Sequence, residues 1–137
     1  MKTKVEIIDA TNEFSFILKP SPHGVGVFAV HDIKVQTYLR LFGDDKEPKH
    51  QIRILDKKDV PEILNGYCID RGTSLVCPKD FGCMPVGWYL NHSKTPNAAH
   101  QDYHYYAVRD IAAGEEITID YNSLEEPKGS RPVYYRS

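Results

Sequence analysis

The sequence predicts a mostly β domain of many short strands with few short helices, and three observations support this prediction. β-branched and aromatic residues occur in short runs that glycine, proline or clustered polar residues interrupt. Helix signals are confined to one short segment. The chain of 137 residues, with 41% hydrophobic and 26% charged residues, has the size and composition of one globular domain. We therefore expect a single domain over residues 1–137, with its core at about 14–122.

The first half of the chain carries three predicted strands and one predicted helix. The strands cover residues 14–18, 25–30 and 38–42, and prolines or glycines bound them. Residues 44–50 are polar and include a proline, which favours an exposed loop. Residues 59–66 begin with an aspartate, continue with an early proline and end with a glycine. These are the usual marks of a short helix, which we expect to be about two turns long.

The second half carries a predicted hairpin and three further predicted strands. Residues 67–70 and 73–77 flank an Arg-Gly pair, which favours a hairpin. Residues 78–87 have the composition of a loop. The remaining strand-like runs cover residues 98–101, 104–108 and 116–120, and a polar tail of residues 123–137 follows them.

Charge and cysteine usage restrict the class of protein. A net charge of -2 and a pI near 6.3 provide no basic field, so we expect no direct nucleic-acid partner, and a cationic substrate suits the chain better. No apolar run approaches the ~20 residues of a membrane span, and the first residues lack a signal-peptide core. The three cysteines lack CxxC spacing, so we expect reduced, partly buried thiols and no metal. A soluble, intracellular protein without a membrane partner is the expectation.

Residues 24–29 (GVGVFA) fit the GxGxxA form of a dinucleotide-binding fingerprint, and Asp44 follows at about the expected 20 residues. That fingerprint requires a helix that opens at the glycines, whereas the residues after Gly26 are strand formers. The glycines then indicate either a close approach to the backbone or a turn with positive φ.

Two other groups of residues, three histidines and two glutamates, do not indicate a metal site or a catalytic site from the sequence alone. His92, His100 and His104 lack the helical spacing of a metal site, so satisfied or exposed histidines are expected. Glu115 and Glu116 are neighbours near the start of a predicted strand, where adjacent side chains point to opposite faces. They are therefore not expected to act together on one substrate atom.

The polar loop at residues 88–97 (WYLNHSKTPN) is the strongest functional signal in the chain. A buried amide or imidazole without partners costs about 1–3 kcal/mol, so a site is the expected reason to gather these groups. In order, residues 24–28 (GVGVF), this loop and residues 109–121 (RDIAAGEEITIDY) closely resemble the SET domain of protein-lysine methyltransferases. The resemblance covers about residues 21–122.

The resemblance implies a SET-domain fold of the β-clip type, with short curved sheets and a C-terminal pseudoknot. It also implies S-adenosylmethionine as the cofactor, with backbone groups near its methionine part and a loop amide at its amine. The cofactor-binding residues that it implies are Gly24, Val25, Gly26, Asn91, His92 and Tyr121.

Tyr121 matches the family's catalytic tyrosine. Methyl transfer needs a neutral amine, although a free lysine has a pKa near 10.4, so the site must favour deprotonation by desolvation and a nearby cation. A phenol with an ordinary pKa near 10 is a poor base at pH 7. We therefore expect Tyr121 to orient the substrate and to support it electrostatically.

Three departures from the family pattern concern the substrate channel. Leu41 stands where many members have an active-site tyrosine, and Ile119 stands where a Phe or Tyr often regulates the number of methyl groups. The number of methyl groups that are added therefore stays open. The cysteine-rich segment that follows many SET domains is absent. Tyr134 or Tyr135 can fold back as an aromatic wall of the channel, since methylammonium groups bind well to aromatic faces; a disordered tail is the alternative.

The resemblance implies a protein-lysine methyltransferase whose partner is a protein substrate with an exposed lysine, a histone tail being one candidate. A SET-fold module that binds cofactor or peptide without catalysis is the alternative, and a β-rich interaction domain is a third. A homodimer could cover exposed strand edges.

Overall fold

The computed structural model describes residues 9–22, 24–42, 52–101 and 103–124. Within these ranges the chain is mostly β, with a few short 3₁₀ helices and small sheets, as predicted. The strands are β1 (Asp9–Ala10), β2 (Phe16–Ser21), β3 (Gly24–Ala29), β4 (Thr37–Tyr38), β5 (Ile52–Asp56), β6 (Ile69–Asp70), β7 (Ser74–Pro78), β8 (Asn91–His92), β9 (Ala98–Gln101), β10 (His104–Ala107) and β11 (Glu116–Ile119).

Among the described strands, pairing produces three small sheets. Their strand orders are β1-β4-β10-β9, β2-β3-β11-β8 and β5-β7-β6. Most pairs are antiparallel, and the β1–β4 and β8–β11 pairs are parallel. Because parallel neighbours need a long connection, the β8–β11 pair joins segments that the β9–β10 hairpin separates in sequence.

The second sheet brings together the glycine-rich segment at residues 24–28 and the polar loop at residues 88–97. β2 and β3 form a hairpin in which Ser21 lies opposite Gly24. β11 pairs antiparallel with β3 on one side and parallel with β8 on the other, where Thr118 lies opposite Asn91. The C-terminal strand therefore lies against the polar loop, which is the contact that the predicted pseudoknot requires.

The main core lies where these sheets face one another. Val27 of β3 and Ile117 of β11 are fully buried in it, and Ile111 forms a bridge with Ile33 at its edge. A smaller cluster lies against the third sheet and contains Val60, Cys68, Leu75 and Cys77. The second sheet thus has its inward face fixed by the main core.

Two of the three cysteines are buried thiols, as expected, whereas Cys83 is exposed. Ile69 lies opposite Val76 in the β6–β7 ladder, so Cys68 and Cys77 also face each other. Burial, followed by the neighbouring Cys77, raises the pKa of the Cys68 thiol to about 12. This thiol therefore stays protonated and packs as a small apolar group.

Several predicted strands are confirmed with small shifts of their bounds. Residues 25–30, 98–101, 104–108 and 116–120 correspond to β3, β9, β10 and β11, and the predicted hairpin corresponds to β6 and β7. Residues 14–18 were expected to end before the prolines, but β2 continues through Pro20 to Ser21. β2 lies at the edge of its sheet, where a residue without a backbone N–H is tolerated.

The predicted strand at residues 38–42 is wrong beyond Tyr38. β4 ends there, and the Leu41 N–H donates to the Leu39 carbonyl, which bends the backbone out of the sheet. Leu39 and Leu41, on either side of Arg40, are both buried although neither belongs to a strand. Burial rather than strand pairing therefore explains the apolar run.

The predicted helix at residues 59–66 is also different from the observed structure. Two 3₁₀ helices, Lys57–Asp59 and Glu62–Tyr67, take its place, and Pro61 is the N-cap of the second. Neither helix has a fully buried residue, so neither presents the apolar face that stabilises an α-helix.

β5 was not predicted from the sequence, and the loop predicted at residues 44–50 falls outside the described residues. β5 pairs with β7 over Ile52–Asp56 but keeps three of its side chains exposed. None of the helices in the described ranges has the length and apolar character needed to cross a bilayer.

We expect Ile117→Ala to lower the free energy of unfolding by about 2–5 kcal/mol, because truncation leaves a cavity in the middle of β11. Ile63 is 85% exposed and provides a matched control, since Ile63→Ala should change stability by no more than about 0.5 kcal/mol. Urea denaturation measures both. Equal effects of the two substitutions would contradict the described core.

Candidate functional site

Three segments that are distant in sequence meet around β11. The β2–β3 turn contributes Ser21 and Gly26, the polar loop contributes Asn91 and His92, and Tyr121 follows β11 directly. The ladder places Thr118 opposite Asn91 and Ile119 opposite His92. The structure thus brings together all of the sequence-predicted cofactor residues at one end of the second sheet.

The two glycines of the β2–β3 hairpin are required for different physical reasons. Gly24 has a φ of 110°, a conformation that glycine adopts without strain. Gly26 lies so close to other side chains that a Cβ there would be 2.3 Å from Glu116 Oε2 and 3.1 Å from Asn91 Nδ2. Because β3 is a strand, no helix opens at these glycines, and the dinucleotide fingerprint is excluded.

Asn91 is buried and its side-chain nitrogen is fully used. Nδ2 donates to the Val25 carbonyl at 3.1 Å and to Glu116 Oε2 at 2.8 Å, with Ser21 Oγ at 3.3 Å. Oδ1 accepts no hydrogen bond from any residue in the described ranges. The amide therefore presents one acceptor that the surrounding protein leaves available.

Glu116 is the site residue that the sequence analysis missed. Its carboxylate accepts from the Ser21 hydroxyl at 3.1 and 3.2 Å in addition to the Asn91 amide. Side chains alternate between the two faces of a strand, so the sequence indicated that Glu116 and Glu115 point in opposite directions. Nothing in the sequence indicated that Ser21 would lie beside Glu116. Glu116 and its neighbour Glu115 have different hydrogen-bond partners.

His92 is buried and acts as an acceptor toward the catalytic candidate. The Tyr121 backbone N–H donates to His92 Nδ1 at 3.0 Å. A ring nitrogen that accepts carries no proton, so this bond assigns the proton to Nε2. The 3.7 Å separation between Nδ1 and Asp120 Oδ1 is therefore not an ion pair.

Tyr121 begins the 3₁₀ helix Tyr121–Leu124 and is fixed at both its backbone and its hydroxyl. The hydroxyl donates to the Leu90 carbonyl at 2.5 Å, and the ring centroid lies 5.4 Å from that of His92. The phenol proton is thereby engaged with the Leu90 carbonyl. This geometry suits an orienting group better than a base.

Leu41 and Ile119, the sequence-predicted channel residues, belong to the core. They are 1% and 2% exposed, and Tyr121 packs against the same apolar cluster. Their role in a channel stays a prediction. Tyr134 and Tyr135, the predicted aromatic wall, lie outside the described residues.

Asn97 connects the polar loop to β11. It is 1% exposed, its Nδ2 donates to the Glu116 carbonyl at 2.7 Å and to Glu115 Oε2 at 3.1 Å, and its Oδ1 accepts from the Thr118 N–H at 2.8 Å. Every polar group of the amide is used within the protein. Asn97 therefore shapes the loop rather than presenting a group to a ligand.

Glu115 stabilises the turn before β11. It accepts from the Ala112 N–H at 3.0 Å and from Arg109 at 2.8 Å. The Ala112 N–H, and after it the Asn97 amide and the Arg109 guanidinium, hold the pKa of Glu115 below its usual value, against the opposing effect of partial burial. The carboxylate is therefore ionised at neutral pH.

Comparison with known proteins gives one family and one fold. A family model described as the SET domain matches residues 24–122, more than two-thirds of the chain. The structure is similar to that of a Plasmodium falciparum protein provisionally described as a histone methyltransferase, with a TM-score of 0.52 and 20% identity over 80% of this chain and 95% of that one. At this identity the likeness concerns the fold. Among curated protein sequences, none matches the chain.

We expect Asn97→Ala to lower the free energy of unfolding by about 1–3 kcal/mol, because the Thr118 N–H and the Glu116 carbonyl lose a buried partner. Asn97→Asp keeps the shape and the acceptor but replaces the donor with a carboxylate oxygen, so it should destabilise as well. Chemical denaturation at pH 7 measures both. Wild-type stability of the aspartate variant would contradict the assignment of Nδ2 as a donor.

The lowered pKa of Glu115 makes stability depend on pH in the acid range. A carboxylate with a depressed folded pKa contributes above its unfolded pKa of about 4.3, and the contribution is lost as pH falls through the folded pKa. The gap in urea midpoint between wild type and Glu115→Gln should therefore be larger at pH 7 than at pH 3. Asp59→Asn, which removes an exposed carboxylate, is measured alongside as the matched control. Equal gaps at both pH values for Glu115→Gln would contradict the expectation.

Proposed function

The chain belongs to the SET-domain family, and on that premise we propose that it transfers a methyl group from S-adenosylmethionine to a lysine side chain of a protein substrate. Members of this family are generally S-adenosylmethionine-dependent lysine methyltransferases. The observation that carries the proposal is the meeting of Asn91, His92 and Tyr121 around one pair of strands. All three lie within the range that the family model matches.

The residues at the site fit the charged part of this cofactor. S-Adenosylmethionine carries an ammonium group, and Asn91 Oδ1 is an acceptor that the described residues leave unused. The Glu116 carboxylate next to it adds negative charge. At Gly24 even a Cβ would meet no atom of the described residues within 4 Å, which leaves the backbone of the turn open to a ligand on their side. Asn91, Glu116 and the turn at residues 24–26 would therefore hold the methionine part, and the backbone at His92 would lie at the adenine side.

When bound, S-adenosylmethionine supplies an electrophilic methyl group on a sulfonium ion. The chain's own contribution is to bind a neutral lysine amine in line with that methyl group. Leu41 and Ile119 are apolar and belong to the cluster against which Tyr121 packs, and low polarity near the amine favours its uncharged form. Alignment within a closed site then lowers the barrier.

Tyr121 orients the amine rather than removing its proton. Its hydroxyl proton is committed to the Leu90 carbonyl, which fixes the position of the phenol oxygen and leaves acceptance of a hydrogen bond as its role toward the amine. An oxygen held in this way accepts a hydrogen bond from the lysine nitrogen and directs its lone pair. His92 supports the arrangement because it anchors the Tyr121 backbone N–H.

The substrate is proposed to be a lysine in an exposed, basic protein segment, with a histone tail as the first candidate. The net charge of -2 suits a cationic partner, and the Plasmodium falciparum protein of similar fold is provisionally described as a histone methyltransferase. A homodimer is proposed as well. It is supported by β2, which has no further strand beside it among the described residues and whose Ile17 is 50% exposed.

We expect Tyr121→Phe to slow methyl transfer roughly 100-fold while cofactor binding changes little, because only the orienting hydroxyl is lost. Asn91→Ala should instead weaken cofactor binding by roughly 10-fold or more, through the loss of a hydrogen bond to a charged group. Transfer of a labelled methyl group to histones and to cell-extract proteins, together with calorimetric cofactor binding, measures these effects.

Tyr106→Phe is the control for the tyrosine substitution, since Tyr106 is a half-buried residue of β10 and should leave transfer unchanged. Absence of both label transfer and cofactor binding in the wild-type protein would overturn the proposal. Cofactor binding without transfer to any protein would favour a module that binds without catalysis.

A further inference from the structure

We infer that Glu116 is a positioning residue, which fixes the orientation of the Asn91 amide so that Oδ1 faces the ammonium group of the cofactor. This inference rests on the proposed function. It assigns a purpose to the cluster of Ser21, Gly26, Asn91 and Glu116, which the proposed catalytic steps do not use directly.

An asparagine amide is nearly symmetric in shape, so its neighbours decide which end faces a ligand. A carboxylate accepts hydrogen bonds and donates none, and so does a backbone carbonyl. Glu116 Oε2 and the Val25 carbonyl both lie within 3.1 Å of the same end of Asn91. That end must be Nδ2, because the reversed amide would lose both bonds and place its oxygen against a carboxylate. The opposite end, Oδ1, is then directed away from both groups.

The neighbouring residues hold the Glu116 carboxylate in the position from which it fixes the orientation of the Asn91 amide. The Ser21 hydroxyl donates to both carboxylate oxygens, at 3.1 and 3.2 Å. Gly26 leaves the space that the carboxylate occupies, since a Cβ there would lie 2.3 Å from Oε2 and 2.9 Å from Cδ. The second glycine of the hairpin is therefore needed by a side chain of β11 as well as by any ligand that approaches the turn.

The charges around Glu116 also support this inference. No lysine, arginine or histidine in the described ranges forms an ion pair with Glu116, whereas its neighbour Glu115 pairs with Arg109 at 2.8 Å. The described contacts of Glu116 are neutral donors, from Asn91 and Ser21. A partly buried carboxylate among neutral groups attracts a cation, and the ammonium of the cofactor is the cation that the proposed function brings there.

The test compares Glu116→Gln with the wild-type protein and with Glu115→Gln, the same change one residue away on the other face. The ligands are S-adenosylhomocysteine and its analogue without the α-amino group, with affinities measured by calorimetry. In the wild type, loss of the amino group should weaken binding strongly. In Glu116→Gln, S-adenosylhomocysteine should bind roughly 5- to 20-fold more weakly, because glutamine also donates and permits the reversed amide. The deaminated analogue should bind equally to both proteins.

Kinetics and a ligand-free measurement separate positioning from a general structural effect. Glu116→Gln should raise the KM for S-adenosylmethionine and leave kcat at saturating cofactor within about 3-fold. In the ligand-free protein, the NMR signals of the Asn91 side-chain amide should move in Glu116→Gln and stay in place in Glu115→Gln. Ser21→Ala, which removes the hydroxyl that donates to the carboxylate and accepts from Asn91 Nδ2, should give the same changes with smaller size and is used if Glu116→Gln does not fold.

Each contrary outcome has a distinct meaning. Equal weakening of both ligands, or unmoved Asn91 amide signals, would overturn the positioning role while the proposed function stands. A wild-type protein that binds neither ligand would overturn the proposed function and this inference with it.

Discussion

The parallel contact between β8 and β11 is the interaction on which the rest of the site depends. β8 has only two residues, and two ladder positions by themselves provide little stability. The contact persists because other groups close it from both ends. The Ser93 N–H donates to the Ile119 carbonyl at 2.9 Å, and the buried Asn97 amide bonds to Thr118 and Glu116. Without these hydrogen bonds, Asn91 and Tyr121 would not be held in a fixed position relative to each other.

β11 serves the core and the site with alternate side chains. Ile117 and Ile119 are buried in the main cluster, whereas Glu116 and Thr118 lie toward the polar loop and its partners. The pleat therefore fixes the placement of the polar groups through the packing of the apolar ones. This explains why Leu41 and Ile119, which the family pattern marks as channel residues, are found as core side chains: the apolar face of the site and the interior of the domain are continuous here.

The sequence was sufficient for the fold class, for most strands and for the segments that form the site. The glycines at 24 and 26, the loop at Asn91 and His92, and Tyr121 carry motifs whose residue types are needed for local geometry, so they are visible without coordinates. Pairing is not local, and for that reason Ser21 and the partners of Glu116 could not be predicted. The bend after Tyr38 was not predicted because the apolar side chains that follow it are buried without strand pairing. The two 3₁₀ helices around Pro61 were predicted as one helix because the capping signals are local, whereas the observed segments have no buried face to stabilise an α-helix. β5 was missed because its exposed side chains give only a weak pattern.

The position of β11 in the chain also bears on how the protein is made. Synthesis proceeds from the N-terminus, and among the described strands β11 is the last to emerge, although it lies in the interior of its sheet. Until β11 emerges, the edge of β3 that β11 covers in the folded sheet has no partner from that strand. Ser21 and Glu116 are 95 residues apart, so the loop that closes the sheet is long and its closure is slow. The nascent chain is thus most prone to aggregate in the interval before its final strand is inserted.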